Sequence, residues 1–255
     1  MNDIDDIIQT IFHEKQNISK TCLGSFLTNP REKQIHDLRV SVRRLESIYS
    51  IIPNSSKRKK IDIFVSSYQS LFKKNNLIRD LDVIIIQLLK NNLSGDDEII
   101  KYIIDQKNEK LKDILNDAKK IIKLNPVELK KIKTNKILKK YFKMIDAYQS
   151  KIQMYLPIVV SDESRVKELH SLRKNAKKLR YILEIIPDKS YSDKIEKLKS
   201  LQKSLGAIHD CDITINFLEQ YSKKDPVIDN LILQENKIRS QIYNDFIISS
   251  DSKIE

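Results

Sequence analysis

The decamer HDLRVSVRRL at residues 36–45 returns as HSLRKNAKKL at 170–179, in a chain that holds only four histidines. The match extends over 35–53 and 169–187, where His, Leu, Arg, Leu, three Ile and a closing Pro coincide. Arg43 and Arg44 stand opposite Lys177 and Lys178, so charge persists where identity is lost. Downstream, NNLIRDLDVIIIQL (75–88) matches LGAIHDCDITINFL (205–218), with Asp80 and Asp82 opposite Asp210 and Asp212. A chain that writes one supersecondary unit twice is bound to fold it twice, because each copy carries the same buried pattern. The expected division is a first repeat over residues 1–125 and a second over 126–255.

The repeated unit reads as helical. Three glycines and six prolines among 255 residues are too few for a turn-rich β or α/β protein. Nearly every stretch repeats its apolar residues at the helical period. The pattern predicts helices at 3–22, 31–52, 57–74, 78–92, 97–124, 127–155, 162–186, 191–204, 208–222 and 227–248. Breaks fall at Asn29-Pro30, Pro53-Asn54, Ser94-Gly95, Asn125-Pro126, Pro157, Pro187 and Pro226. Asn76 stands where Gly206 stands, and both read as left-handed helix ends. Asp80 and Asp210 then begin the next helices, stabilised there by free N–H groups and the dipole. The fold class is all-α.

Charge narrows the partner. A formal net charge of +12 attracts polyanions: nucleic acid, an acidic membrane surface or a phosphate polymer. Cys22 and Cys211 form no CxxC pair and no disulfide scaffold, which fits a reducing, cytoplasmic setting. The N-terminus, MNDIDDIIQT, is acidic and unlike a secretory signal. No apolar run approaches the roughly 18 residues that a bilayer requires, so no membrane role is expected.

On a helical wheel counted from His36, Arg39 falls near 300° and Arg43 near 340°, at about 100° per residue. Leu38, Val42, Leu45, Ile48 and Ile52 fill the opposite arc. His36, Arg39 and Arg43 form a basic stripe with Arg44 on its flank. In the second copy His170, Arg173, Lys174, Lys177, Arg180 and Tyr181 fill the same side, flanked by Lys178. From Val166 to Leu183 the only acid is Glu168, so this stripe is not self-paired at i+4. A lone charge run is usually a solvated face. Two stripes that keep His-x-x-Arg at the same point favour an anion site, to which the Tyr181 hydroxyl could donate.

Three rival chemistries are weaker. DCDIT (210–214) has the D-x-D-x-T form of a phosphotransferase nucleophile loop, but a helical stretch precedes it where that loop needs a strand. His209, Asp210, Cys211 and Asp212 are consecutive, and consecutive helical residues diverge too far to converge on one metal ion. Nucleic acid would be drawn to the same stripes. Single-strand binders offer exposed aromatic platforms, however, and this chain has no Trp and 7% aromatic residues.

The motif H-x-L-R-x-x-x-R-R-L with downstream R-D-L-D-V, then H-x-L-R-x-x-x-K-K-L-R-Y-x-L-E with downstream L-G-x-x-x-D, closely resembles the CHAD domain, the conserved histidine α-helical domain. The resemblance covers residues 3–248. It implies two pseudo-symmetric helical bundles around a basic central cavity, with inorganic polyphosphate as ligand and no known catalytic role. No cofactor or metal is expected. The family's basic positions fall on His36, Arg39, Arg43 and Arg44, then on His170, Arg173, Lys177, Lys178 and Arg180. Arg79 and His209 are the matching downstream cations. Independently of the resemblance, Asp80 and Asp210 are expected to hold Arg or His side chains of the stripes in position by charge-assisted hydrogen bonds. Glu46 occupies the place of Arg180, which implies a weaker first half. Polyphosphate granules and polyphosphate-metabolising enzymes are the partners such a site implies.

Overall fold

The computed structural model describes residues 4–53, 58–91, 93–95, 97–129, 133–186, 188–221 and 225–251. Asn54, Pro187 and the ends of several expected helices lie outside them. The described residues form eight α-helices and no strand: α1 Ile4–Thr28, α2 Glu32–Ile51, α3 Lys59–Lys90, α4 Glu98–Ile121, α5 Thr134–Ser161, α6 Val166–Leu183, α7 Ser192–Gln220 and α8 Pro226–Asp251. The all-α expectation holds.

Several helices are longer than the sequence pattern predicts. The breaks expected at Asn76 and Gly206 are absent, because α3 and α7 run straight through them. Asp80 and Asp210 therefore sit inside helices and cap nothing. Leu71, Asn75, Ile78 and Leu81 are buried in sequence along α3. Packing along such a face outweighs the roughly 1 kcal/mol that one poor helix former costs. Pro157 likewise ends nothing and stands within α5. Just beyond it, the Tyr243 hydroxyl donates to the carbonyl of Val159 at 2.7 Å and to that of Val160 at 3.2 Å. That side chain satisfies backbone oxygens in the last turn of α5, where a helix has carbonyls to spare.

The packing divides into two compact units, each assembled from separated stretches of chain. The first comprises residues 1–79, 105–146 and 181–187. In it α1 packs on α2, with Phe12, Phe26, Leu38, Leu45, Phe64 and Tyr68 in the core. The predicted apolar arc of α2 is the buried one: Leu38, Val42, Leu45, Ile48 and Ile52 are all at most 2% exposed. Two cations close the C-terminal end of α2. Arg58 donates to the carbonyls of Ile52 and Pro53 at 2.8 and 3.0 Å, and Lys140 to that of Ile52 at 2.8 Å. Positive charge at this end complements the helix dipole.

The second unit comprises residues 80–104, 147–180 and 188–255. Here α7 packs on α8. One cluster joins Leu81, Ile84 and Leu88 to Ile100, Ile103, Leu218 and Leu231. Another joins Val159, Leu169 and Leu172 to Leu205, Ile208 and Phe246. A buried ionic network ties α7 to α8. Arg239 donates to Asp212 at 2.5 Å and to Glu163 at 2.7 Å, and Ser240 donates to Glu163 at 3.0 Å.

Candidate functional site

Of the residues singled out in the sequence, His36, Arg39, Arg43, Arg44, Arg79 and Tyr181 belong to the first unit. His170, Arg173, Lys174, Lys177, Lys178, Arg180 and His209, with Asp80 and Asp210, belong to the second. Each basic stripe thus has its own structural setting, except that Tyr181, which the sequence groups with the second stripe, falls in the first unit.

In the first unit the stripe is graded in depth. His36 and Arg44 are exposed and Arg43 is half-buried, whereas Arg39 is only 9% exposed. The wheel places Arg39 opposite the apolar arc, and a surface position would follow if nothing covered that side. Residues of α3 do cover it. Arg39 donates from Nη1 to Asn76 Oδ1, and its guanidinium lies over the Phe72 ring at 5.1 Å. Arg43 lies over the same ring at 5.0 Å and hydrogen-bonds the Tyr181 hydroxyl. A guanidinium loses hydration on burial, and the ring and these uncharged acceptors replace part of it.

Burial is the main cause that lowers the Arg43 pKa from its ordinary value, and the charge of Arg79 adds to it. Tyr181 and Glu46 act the other way. Glu46 therefore supports the charge of a neighbouring arginine, a consequence the sequence comparison did not contain. Tyr181 is 5% exposed, and its hydroxyl meets the Arg43 guanidinium. Beside this group a cavity of about 410 Å³ opens between Arg44, Lys15, Glu14, Tyr181 and Glu184. Its acids and bases are mixed, so it is a poorer anion trap than the arginine group.

In the second unit His170 and His209 meet, their ring centroids 5.1 Å apart. They line a cavity of about 390 Å³ with Lys167, Asp212 and Asn216. His170 is exposed overall, yet partial desolvation of its ring, then Arg173 and Lys174, lower its pKa, while Asp212 opposes them. Lys178 lies over the Tyr148 ring at 5.7 Å. Arg173, Lys177 and Arg180 are half-buried and Lys174 is exposed along α6. Sequence reasoning missed Phe72, Asn76 as a hydrogen-bond acceptor, Tyr148 and the place of Asp212. Asp212 alone carried a signal, its recurrence opposite Asp82.

The family model described as CHAD domain matches residues 21–219. A crystal structure of the CHAD domain from the plant Ricinus communis superposes with a TM-score of 0.61 at 14% identity, over 93% of this chain and 84% of that chain. No curated protein matches. No helix among the described residues is long and apolar enough to cross a membrane.

Proposed function

The chain belongs to the CHAD domain family, and from that premise we propose that it binds inorganic polyphosphate without altering it chemically. The observation that carries this reading is the meeting of Arg39, Arg43 and Arg79 in one unit, with a ring, a carboxamide and a phenol among their partners. Guanidinium groups present planar forks of donors that match phosphate oxygens. The second unit adds His170, Arg173, Lys174, Lys177, Lys178, Arg180 and His209, and Asp80 and Asp210 serve as positioning acids.

The net charge of +12 supplies long-range attraction for a polyanion. The ring among the arginines has guanidinium groups over it, so that face is closed to a stacking base. A ligand made of phosphate alone suits such a surface better than one that must also place its bases.

The finer architecture implied by the family, pseudo-symmetric halves about a basic cavity serving one polymer, is part of this proposal. So is a cytoplasmic, granule-associated setting, where the protein would meet polyphosphate and the enzymes that metabolise it. Titration with polyphosphate against single-stranded and duplex DNA of equal charge, at matched salt, tests the ligand class. Polyphosphate is expected to win, and a preference for either DNA would sink the reading. Size-fractionated polymer tests the shared site: long chains are expected to bind far more tightly than pyrophosphate, at one chain per protein.

A further inference from the structure

Phe72 has no charge and no place in the repeated decamer, yet both Arg39 and Arg43 lie over its ring. The negative face of an aromatic ring attracts a guanidinium, more strongly as water is excluded. Arg39 is nine-tenths buried, so little solvent competes. Each arginine also has an uncharged second anchor, Asn76 Oδ1 for Arg39 and the Tyr181 hydroxyl for Arg43. A ring and a hydrogen bond together fix both the place and the direction of a planar cation.

From this geometry we propose that Phe72 is a positioning residue of the anion site, its ring holding Arg39 and Arg43 as a preformed pair that phosphate oxygens meet without further ordering. The inference rests on the polyphosphate reading for its ligand. Ordering a long cationic side chain at the moment of binding weakens association, and a pair ordered in advance avoids that loss.

The repeat supplies an internal comparison. SLFKK at 70–74 aligns with SLQKS at 200–204, which puts Gln202 opposite Phe72. The Gln202 side chain donates to the Ala176 carbonyl at 3.3 Å. Opposite Arg43 the second copy has Lys177. Opposite Arg39 it keeps Arg173, so the second copy lacks the ring and one of the two guanidinium groups, as it would if the ring served to hold two planar groups as a pair. An ammonium is a compact point charge and gains less from a flat support. In the second unit the ring beneath a cation comes from α5, as Tyr148 under Lys178. The two sites are built unequally, a stacked arginine pair in one and a lysine-rich set in the other.

The test is a double-mutant cycle on Phe72→Leu and Arg43→Lys, read by polyphosphate titration. Each single change is expected to weaken binding about tenfold, the scale of one cation–π contact with its ordering. The slope of log affinity against log salt is expected to stay native, because no charge is removed. The double variant is expected to lose less than the sum of the two single losses, since either change breaks the Phe72–Arg43 contact. Phe72→Tyr keeps the ring and is expected to retain native affinity. Additive losses, or native affinity in Phe72→Leu, overturn the proposal. Should Phe72→Leu not fold, Arg43→Lys decides alone, and native affinity there overturns it. Side-chain NMR gives a readout that needs no ligand: the Arg39 and Arg43 Nε–H protons are expected to be ring-shifted in the native protein and not in Phe72→Leu. Unshifted native signals overturn the proposal. If the native protein fails to bind polyphosphate, the functional reading falls, and these signals still decide whether Phe72 positions the pair.

Discussion

The imidazoles of His170 and His209 lie 5.1 Å apart, with their planes inclined at 56°. Partial desolvation, Arg173 and Lys174 keep His170 below its ordinary pKa of 6.5, against the pull of Asp212. A bound polyanion favours the imidazolium and raises that pKa, so binding takes up protons. Affinity is then expected to rise as pH falls through the neutral region, and to keep rising below 6.5 until free His170 is itself protonated. Calorimetry in buffers of different ionisation enthalpy reads the proton uptake directly. If His170→Gln takes up as many protons as the native protein, His170 is not the coupled group.

On the proposed reading, the cations of the two units would contribute charge separately from their placement. Replacing Arg39 and Arg173 by Ala removes one guanidinium from each unit. Affinity is expected to fall, and the log–log salt dependence to become shallower, because fewer counterions are released when fewer phosphates are neutralised. An unchanged slope would take both arginines out of the site. The folding cost is expected to be unequal. Arg39 is buried against Phe72 and Asn76, so its truncation is expected to cost about 1–3 kcal/mol by stranding buried contacts. The half-buried Arg173 is expected to cost less in urea unfolding.

The apolar arcs of α2 and α6 were legible because periodicity encodes which side of a helix is buried, and Leu38, Leu45, Leu172 and Leu179 follow it. The depth of Arg39 was not legible. It depends on α3, whose Phe72 and Asn76 lie more than thirty residues downstream, and no local pattern reports a neighbour that distant. Asn76 misled for a related reason. Out of context it reads as a helix end, but its carboxamide accepts from Arg39 while the backbone stays helical. Glu46, opposite Arg180 in the repeat, reads as lost charge. In the folded protein it offsets the burial of Arg43.

Arg239 offers a stability test away from the arginine pair. Its guanidinium bridges Asp212 and Glu163, and the Arg239 and Asp212 side chains are each 10% exposed. Removing one partner of such a pair leaves the other desolvated and uncompensated. Arg239→Ala is expected to lower unfolding free energy by about 3–5 kcal/mol, measured in urea, whereas Lys199→Ala, which breaks the exposed pair with Glu196, is expected to cost at most about 1 kcal/mol. Equal losses would contradict the distinction that burial makes.

Gly206 provides the sharpest check on the uninterrupted α7. A glycine kept for a left-handed helix end would resist any side chain, since L-residues are strained at positive φ. In the structure the residue is inside a helix, and a methyl group there would meet no heavy atom within 4 Å apart from its chain neighbours and its own helix backbone. Alanine then adds helix propensity and restricts the unfolded chain, with no clash to offset either gain. Gly206→Ala is expected to stabilise the protein by about 0.5–1 kcal/mol, which at this size raises Tm by roughly 1–4 °C. Gly95 lies outside any helix, so Gly95→Ala is expected to bring no gain in helix propensity and serves as the comparison. A fall in Tm for Gly206→Ala would mean that the chain turns at this residue, as the alignment with Asn76 first suggested.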